Sequence, residues 1–340
     1  MSKDPQQSDS QPAKEGRSSG RRLIRTLYER PDTRPILFLI LLMVFIQTLA
    51  PEFLSPQNVG FVLLHSSVLC IIALGETLVI LLGMIDLSPA ATASFAGVII
   101  GSRLFPSSTP TDVVIQIGLV LLVGFGLGIM NGLLIMRVKI PSIIATLATM
   151  IFIEGLTLLY SGGFATGIGM PPSFAFLGQG YILGVIPTAV VVMVVLVVAV
   201  QLVISRTIIG RYIVAIGGNE EAVVLSGINA DRIKIVVWGF AGLLAALGGV
   251  VLTAQLNSAY PDAANNLLLP VIAAVVIGGT KLMSGAGEGG AYQTLVGAVI
   301  LSVIANALII MGVSAYYQDV VAGIVLLAAT AGTIKGKIAK

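Results

Sequence analysis

The sequence predicts an all-α polytopic membrane protein with about ten transmembrane helices, and three observations carry that prediction. The chain of 340 residues is 56% hydrophobic and only 10% charged, with a mean hydropathy of +1.01. A water-soluble domain carries roughly 25% charged residues. Apolar stretches recur along the chain at about the 20 residues a helix needs to cross a bilayer core. Threading ten of them back and forth from an inner start places every Lys and Arg except Arg103 on one side. By the positive-inside rule that side is cytoplasmic, and both chain ends lie on it. An odd number of spans would scatter these charges over both faces.

Taken in order, residues 1–34 are polar and read as a disordered basic cytoplasmic tail. They contain no apolar run, so no secretory signal precedes the first span. Arg21, Arg22, Arg25, Arg30 and Arg34 form a juxtamembrane collar suited to anionic lipid headgroups. A transmembrane domain of residues 35–334 follows. Its spans are expected near 35–50, 59–82, 88–105, 113–136, 141–160, 182–204, 235–256, 267–280, 290–312 and 318–334. The inner loops then hold Arg137 and Lys139, Arg206 and Arg211, Arg232 and Lys234, and Lys281. Residues 335–340 form a second cytoplasmic tail.

Two spans look broken. Gly83-Met-Ile-Asp-Leu-Ser-Pro89 interrupts a long apolar run with an acid and a proline, and the segment 267–280 runs into Gly278, Gly279 and the glycine-rich residues 285–290. Broken helices are tolerated only against protein or a water-filled path. There is also an internal match. Asn131-Gly-Leu-Leu-Ile-Met-Arg-Val138 parallels Asn306-Ala-Leu-Ile-Ile-Met-Gly-Val313. The two stretches close the fourth and ninth spans, and an offset of five spans reverses direction. The pattern therefore suggests two inverted five-helix repeats.

The chemistry is sparse. One cysteine, Cys70, and one histidine, His65, leave no metal cluster, nucleophile–base pair or redox motif, so no cofactor is expected in this chain. Basic residues flank spans instead of forming a patch, which argues against nucleic acid. His65 reads as a polar residue near a span end. Acids inside membranes are costly and usually functional, which singles out Glu76, Asp86, Glu154 and Asp319. Asp86 and Ser88 sit at the helix break, where Asp86 can cap freed amides or line a path, or serve as a plain inner-loop acid. Glu76 can pair with His65 or a hydroxyl; Glu154 and Asp319 fall near span ends, where solvation is ordinary. Asn131 and Asn306 suit either a neutral polar path or helix-to-helix bonding. Gly124, Gly128 and Gly132, spaced by four, predict close helix packing. On the outer side, Asn257, Tyr260 and Asp262 are candidates for contact with a delivery protein.

The inner loop 205–234 is the longest after the tail. Asn219 suits an N-cap, Glu220 and Glu221 a first helical turn, and Gly227 a left-handed stop. A two-turn helix is predicted there. It is too short to persist in water alone, so it should pack on its own bundle or on a cytoplasmic partner.

Glu221-Ala-Val-Val-Leu-Ser-Gly227 resembles the Glu-Ala-Ala-x-x-x-Gly coupling motif of ATP-binding-cassette import permeases, with valine for the second alanine. Gly83-Met-Ile-Asp-Leu-Ser88 is similar to the Gly-Ile-Asp-Leu-Ser signature of the monosaccharide-import permeases of the ribose/xylose/galactose type. Further resemblances follow in family order: Asn131-Gly-Leu-Leu-Ile135, Ile140-Pro-Ser-Ile-Ile-Ala-Thr-Leu147, Ala215-Ile-Gly-Gly-Asn219 with Leu225-Ser-Gly-Ile228, Ala273-Ala-Val-Val-Ile-Gly-Gly-Thr280, and Gly312-Val-Ser314 with Tyr317-Gln318. Departures lie at Pro89-Ala90, Asp262-Ala-Ala-Asn-Asn266 and the following Leu-Leu-Leu, near the outer loops, and bear on which sugar is carried.

The resemblance implies a permease subunit in the bacterial inner membrane that uses ATP only through a separate cytoplasmic cassette subunit. Gly218, Asn219, Glu220, Glu221, Ala222, Ser226 and Gly227 would meet that subunit. A sugar-binding protein would deliver substrate outside, and a second permease subunit, identical or related, would complete a path past Glu76, Asp86, Ser88, Asn131 and Asn306. The sequence agrees in lacking a Gly-x4-Gly-Lys-Ser/Thr phosphate loop. A proton- or sodium-coupled transporter using Asp86 or Glu76 is the alternative, and a membrane-embedded enzyme is a weaker third.

Overall fold

The computed structural model describes residues 33–103, 108–281, 287–314 and scattered positions from 317 to 324. Most of the N-terminal tail, the tenth expected span with Asp319, and the C-terminal tail lie outside the described residues. Within them the chain forms eleven α-helices. These are α1 (Thr33–Leu49), α2 (Pro56–Leu81), α3 (Pro89–Arg103), α4 (Pro110–Met136), α5 (Ser142–Ser161) and α6 (Pro172–Gln179), then α7 (Thr188–Arg206), α8 (Ile208–Leu225), α9 (Ala230–Leu256), α10 (Leu268–Gly278) and α11 (Ala291–Ile310).

Nine expected spans coincide with α1 to α5, α7, α9, α10 and α11. Of these, α2, α4, α5, α7, α9 and α11 are long and apolar enough to cross a membrane. α1, α3 and α10 are shorter, at 17, 15 and 11 residues. The last two are short because the chain breaks beside them, at 82–88 and at the 3-10 turn Asn265–Leu267.

Helix boundaries follow local chemistry. Ser55 caps α2 ahead of Pro56, and Thr109 and Asp112 form a reciprocal capping box on α4. Asn229 caps α9, and Gly162 ends α5 in the left-handed conformation. The sequence did not foretell the form of the connection after α5. It folds into α6 and a hairpin in which β1 (Tyr181–Ile182) pairs with β2 (Ile186–Pro187) around Leu183 and Gly184, both at positive φ. The hairpin moves the start of the sixth span from the expected 182 to Thr188.

α2 is the hub. In its most apolar window 83% is buried, against 22% for α4 and 28% for α5. α2 carries the buried polar residues Ser66, Ser67, Glu76 and Thr77, which in a membrane bundle face the interior, and it packs on α7, α9, α10 and α11. α9 in turn lies along α3 and α4. Lipid tails are as apolar as leucine, so close contact has to come from small residues. Gly124, Gly128 and Gly132 provide it: a Cβ at Gly128 would lie 2.1 Å from the Trp238 carbonyl oxygen, and one at Gly124 2.7 Å from that of Gly242. The predicted strip is the α4–α9 seam.

Candidate functional site

The first site is the break between α2 and α3. α2 stops at Leu82, and Gly83 at φ 79° turns the chain back into the bundle. That leaves the amides of residues 86–88 without helical partners, and buried amides have to find acceptors. Each does. The Asp86 amide donates to Glu76 Oε1 (3.2 Å), the Leu87 amide to Thr146 Oγ1 (3.1 Å) and the Ser88 amide to Asp86 Oδ1 (2.7 Å). The Ser88 hydroxyl also donates to Asp86 Oδ1 (2.7 Å), and Asn131 Nδ2 donates to Ser88 Oγ (2.9 Å).

Four of the five expected path residues, Glu76, Asp86, Ser88 and Asn131, thus form one chain of hydrogen bonds, each at most 4% exposed. Asp86 is no plain inner-loop acid; it caps the break from inside the bundle. Glu76 does not pair with His65, which packs at a tilt against Phe61 with ring centroids 4.2 Å apart. Among the described residues neither carboxylate has a cationic partner within ion-pair distance. The network leaves Glu76 Oε2 and Asn131 Oδ1 buried without a hydrogen-bond partner in the structure. Thr146 was missed from sequence. It lies in Ile140–Leu147, on a helix that also carries Thr149 and Thr157, so its hydroxyl did not stand out.

Replacing Asp86 with alanine strands both the Ser88 amide and its hydroxyl, a cost of about 1–3 kcal/mol for a buried group left unpaired. The expected result is earlier thermal unfolding in detergent and a lower yield. Asp86→Asn keeps one acceptor and should fall between it and wild type.

The fifth path candidate is elsewhere. Asn306 on α11 exchanges paired amide bonds with Asn58 on α2, at 2.8 and 2.9 Å. It borders a cavity of about 220 Å³ between α2, α10 and α11, with Phe61, His65, Pro270 and Ser302 also in its wall. In the loop after α9, Tyr260 and Asp262 are exposed. Asn257 instead turns inward and accepts from the Met170 amide (3.1 Å), holding the loop after α5 against the end of α9.

The second site is α8. The expected two-turn helix is the second arm of an 18-residue helix bent at Asn219, whose backbone (φ −159°, ψ 93°) is extended. Asn219 Oδ1 accepts from the Ala222 amide at 3.0 Å, the N-cap geometry read from sequence, and Gly227 takes φ 80°. The first arm, unforeseen, buries Ile213 and Ile216 in the main core. Gly217 rests on the end of α2, where a Cβ would lie 1.8 Å from the Leu81 carbonyl oxygen.

The second arm buries only Val223 and presents Glu221, Ala222, Val224, Leu225 and Ser226 outward. Leu225 is 83% exposed and Val224 53%. Together with Glu221 they form the outward face of the second arm. Both were missed because the motif directed attention to its polar members.

Residues 58–330 match the family described as branched-chain amino acid transport system / permease component. The chain is 42% identical over 296 residues to the ribose import permease protein RbsC of Bacillus subtilis, covering 87% of this chain and 90% of that one. It is 38% identical over 301 residues to the protein of that name from Haemophilus influenzae, covering 88% and 91%. The L-arabinose ABC transporter permease protein AraH of Azospirillum brasilense is 33% identical over 297 residues, covering 86% and 85%. No solved structure matches the chain.

Proposed function

Because the chain belongs to the branched-chain amino acid transport system / permease component family, we propose that it is the transmembrane subunit through which an ATP-binding-cassette importer passes a monosaccharide. Relatives named for ribose and L-arabinose import support the substrate class. The observation that carries the mechanism is α8. A bent cytoplasmic helix has one arm packed on the bundle's central helix and the other offering Glu221, Val224 and Leu225 to a partner. A transporter driven by an ion gradient has no need of such an arm.

In this reading both termini and α8 are cytoplasmic, ten spans form two inverted repeats, and a separate ATPase docks on the outward face of the second arm of α8, at Glu221, Val224 and Leu225. Asn131 and Asn306 support the repeat, since each lies near the C-terminal end of its helix and each bonds across to a neighbouring segment. A second permease subunit completes the path. Asn306, beside the cavity, and the network of Glu76, Asp86, Ser88 and Asn131 at the α2–α3 break shape that path, and Tyr260 and Asp262 face the sugar-binding protein.

The test is purification of the tagged chain from its native membrane in mild detergent, followed by reconstitution in liposomes. A cassette ATPase is expected to accompany the chain stoichiometrically, and uptake should continue when the proton gradient is collapsed at constant ATP. A solitary chain whose uptake stops with the gradient would overturn the proposal.

A further inference from the structure

Lys234 lies only four residues past the start of α9, near the positive end of that helix's dipole, where a cation is disfavoured. It is nevertheless buried, with its side chain 7% exposed, and lysine is almost never buried unless paired. Its partner is Glu220, with Lys234 Nζ 2.5 Å from Glu220 Oε1. Glu220 is the first residue after the bend of α8, so the ion pair joins the second arm of α8 directly to α9. The first arm is fastened elsewhere, to the end of α2 through the close approach of Gly217 and Leu81. α2 and α9 are the two most enclosed long helices, with 83% and 67% of their most apolar windows buried.

We propose that the two adjacent glutamates of this segment do different work: Glu221 faces the ATPase, whereas Glu220 is a positioning residue whose ion pair with Lys234 transmits movement of the second arm to α9. This rests on the reading of the chain as an ATPase-driven permease. The bend at Asn219 makes the strut necessary. An extended residue between two short helical arms transmits little by itself, and Val223 is the only other buried anchor on the second arm. The pair is dry at its lysine end and open at its glutamate end, where the Glu220 side chain is 47% exposed. Glu220→Gln therefore removes the charge of the link, leaving at most one hydrogen-bond acceptor for Lys234, without opening a cavity.

The complex of the chain with its ATPase and binding protein, reconstituted in liposomes, tests this through sugar imported per ATP hydrolysed. Glu220→Gln is expected to keep the ATPase bound and hydrolysing while that ratio falls about tenfold. The reversed pair, Glu220→Lys with Lys234→Glu, should restore most of it, which assigns the loss to the pair itself, and a bound, hydrolysing ATPase with a lowered ratio is the readout a merely structural role would not move. Should Glu220→Gln lower the yield, the double variant with Lys234→Met has no unpaired charge and gives the same reading. A folded double variant with a wild-type ratio overturns the strut. Loss of the ATPase from Glu220→Gln but not from Lys234→Met also overturns it, because Glu220 would then be a partner contact. A wild-type chain that carries no ATPase fails the importer reading itself, a separate result.

Discussion

A single methyl group at position 217 is expected to abolish ATP-driven uptake while leaving the protein in the membrane. In Gly217→Ala the new Cβ would lie 1.8 Å from the Leu81 carbonyl oxygen and 2.9 Å from the Gly287 amide nitrogen. Both are backbone atoms, so no side chain can swing aside. The first arm of α8 has to lift off α2 by more than an ångström, and overpacking on this scale costs about 1–3 kcal/mol or more. The spans themselves do not depend on that contact, so abundance should hold. Uptake depends on it, because the end of α2 leads directly into the Gly83–Ser88 turn and its buried network. Gly227→Ala is the control. Position 227 has φ 80° and nothing within 4 Å of a Cβ, so its cost is about 1–2 kcal/mol of backbone strain without a collision. Uptake and abundance of both variants in membrane vesicles decide the matter, and wild-type uptake by Gly217→Ala would show that the α8–α2 contact carries nothing.

Much of this architecture was legible because lipid imposes it. Apolar stretches of helix-spanning length and one-sided charge gave the polytopic helical class, and Pro89 and Gly83 marked a real break. What stayed hidden depended on contacts between distant segments. The carboxylate of Glu76 finds the Asp86 amide by packing, and the bonds from Leu87 to Thr146 and from Asn131 to Ser88 could not be read from spacing within any one helix. Asn131 and Asn306 looked equivalent in sequence, yet one joins the network at the break and the other pairs with Asn58. The loop between α5 and α7 was opaque for another reason. Its turn depends on Leu183 and Gly184 at positive φ, and Leu183 is a residue for which sequence gives no warning of that conformation. At α8 the cap at Asn219 was readable because capping is local, whereas the burial of Lys234 was not, since a lysine beside a polar connecting segment is ordinarily solvated.

Leu225→Asp combined with Glu221→Arg is expected to strip the ATPase from the purified complex while the chain folds and inserts normally. Leu225 is 83% exposed and makes no core contact in this chain, so the chain alone loses nothing when it is changed. Burying a leucine side chain against a partner contributes about 1.5–3 kcal/mol, and aspartate adds a desolvation cost in its place. Reversing Glu221 replaces any attraction to a basic partner surface with repulsion, which lowers the association rate as well. Two kcal/mol alone is roughly a thirtyfold loss of affinity, enough to lose a subunit during dilution in detergent. The sign of the result separates the two classes of transporter. For a chain driven by an ion gradient, two polar substitutions on a solvent-facing arm are neutral, and transport is unchanged. For a chain driven in trans by ATP, the same substitutions leave a well-folded permease with no motor, and restoring Leu225 alone should bring part of the ATPase back.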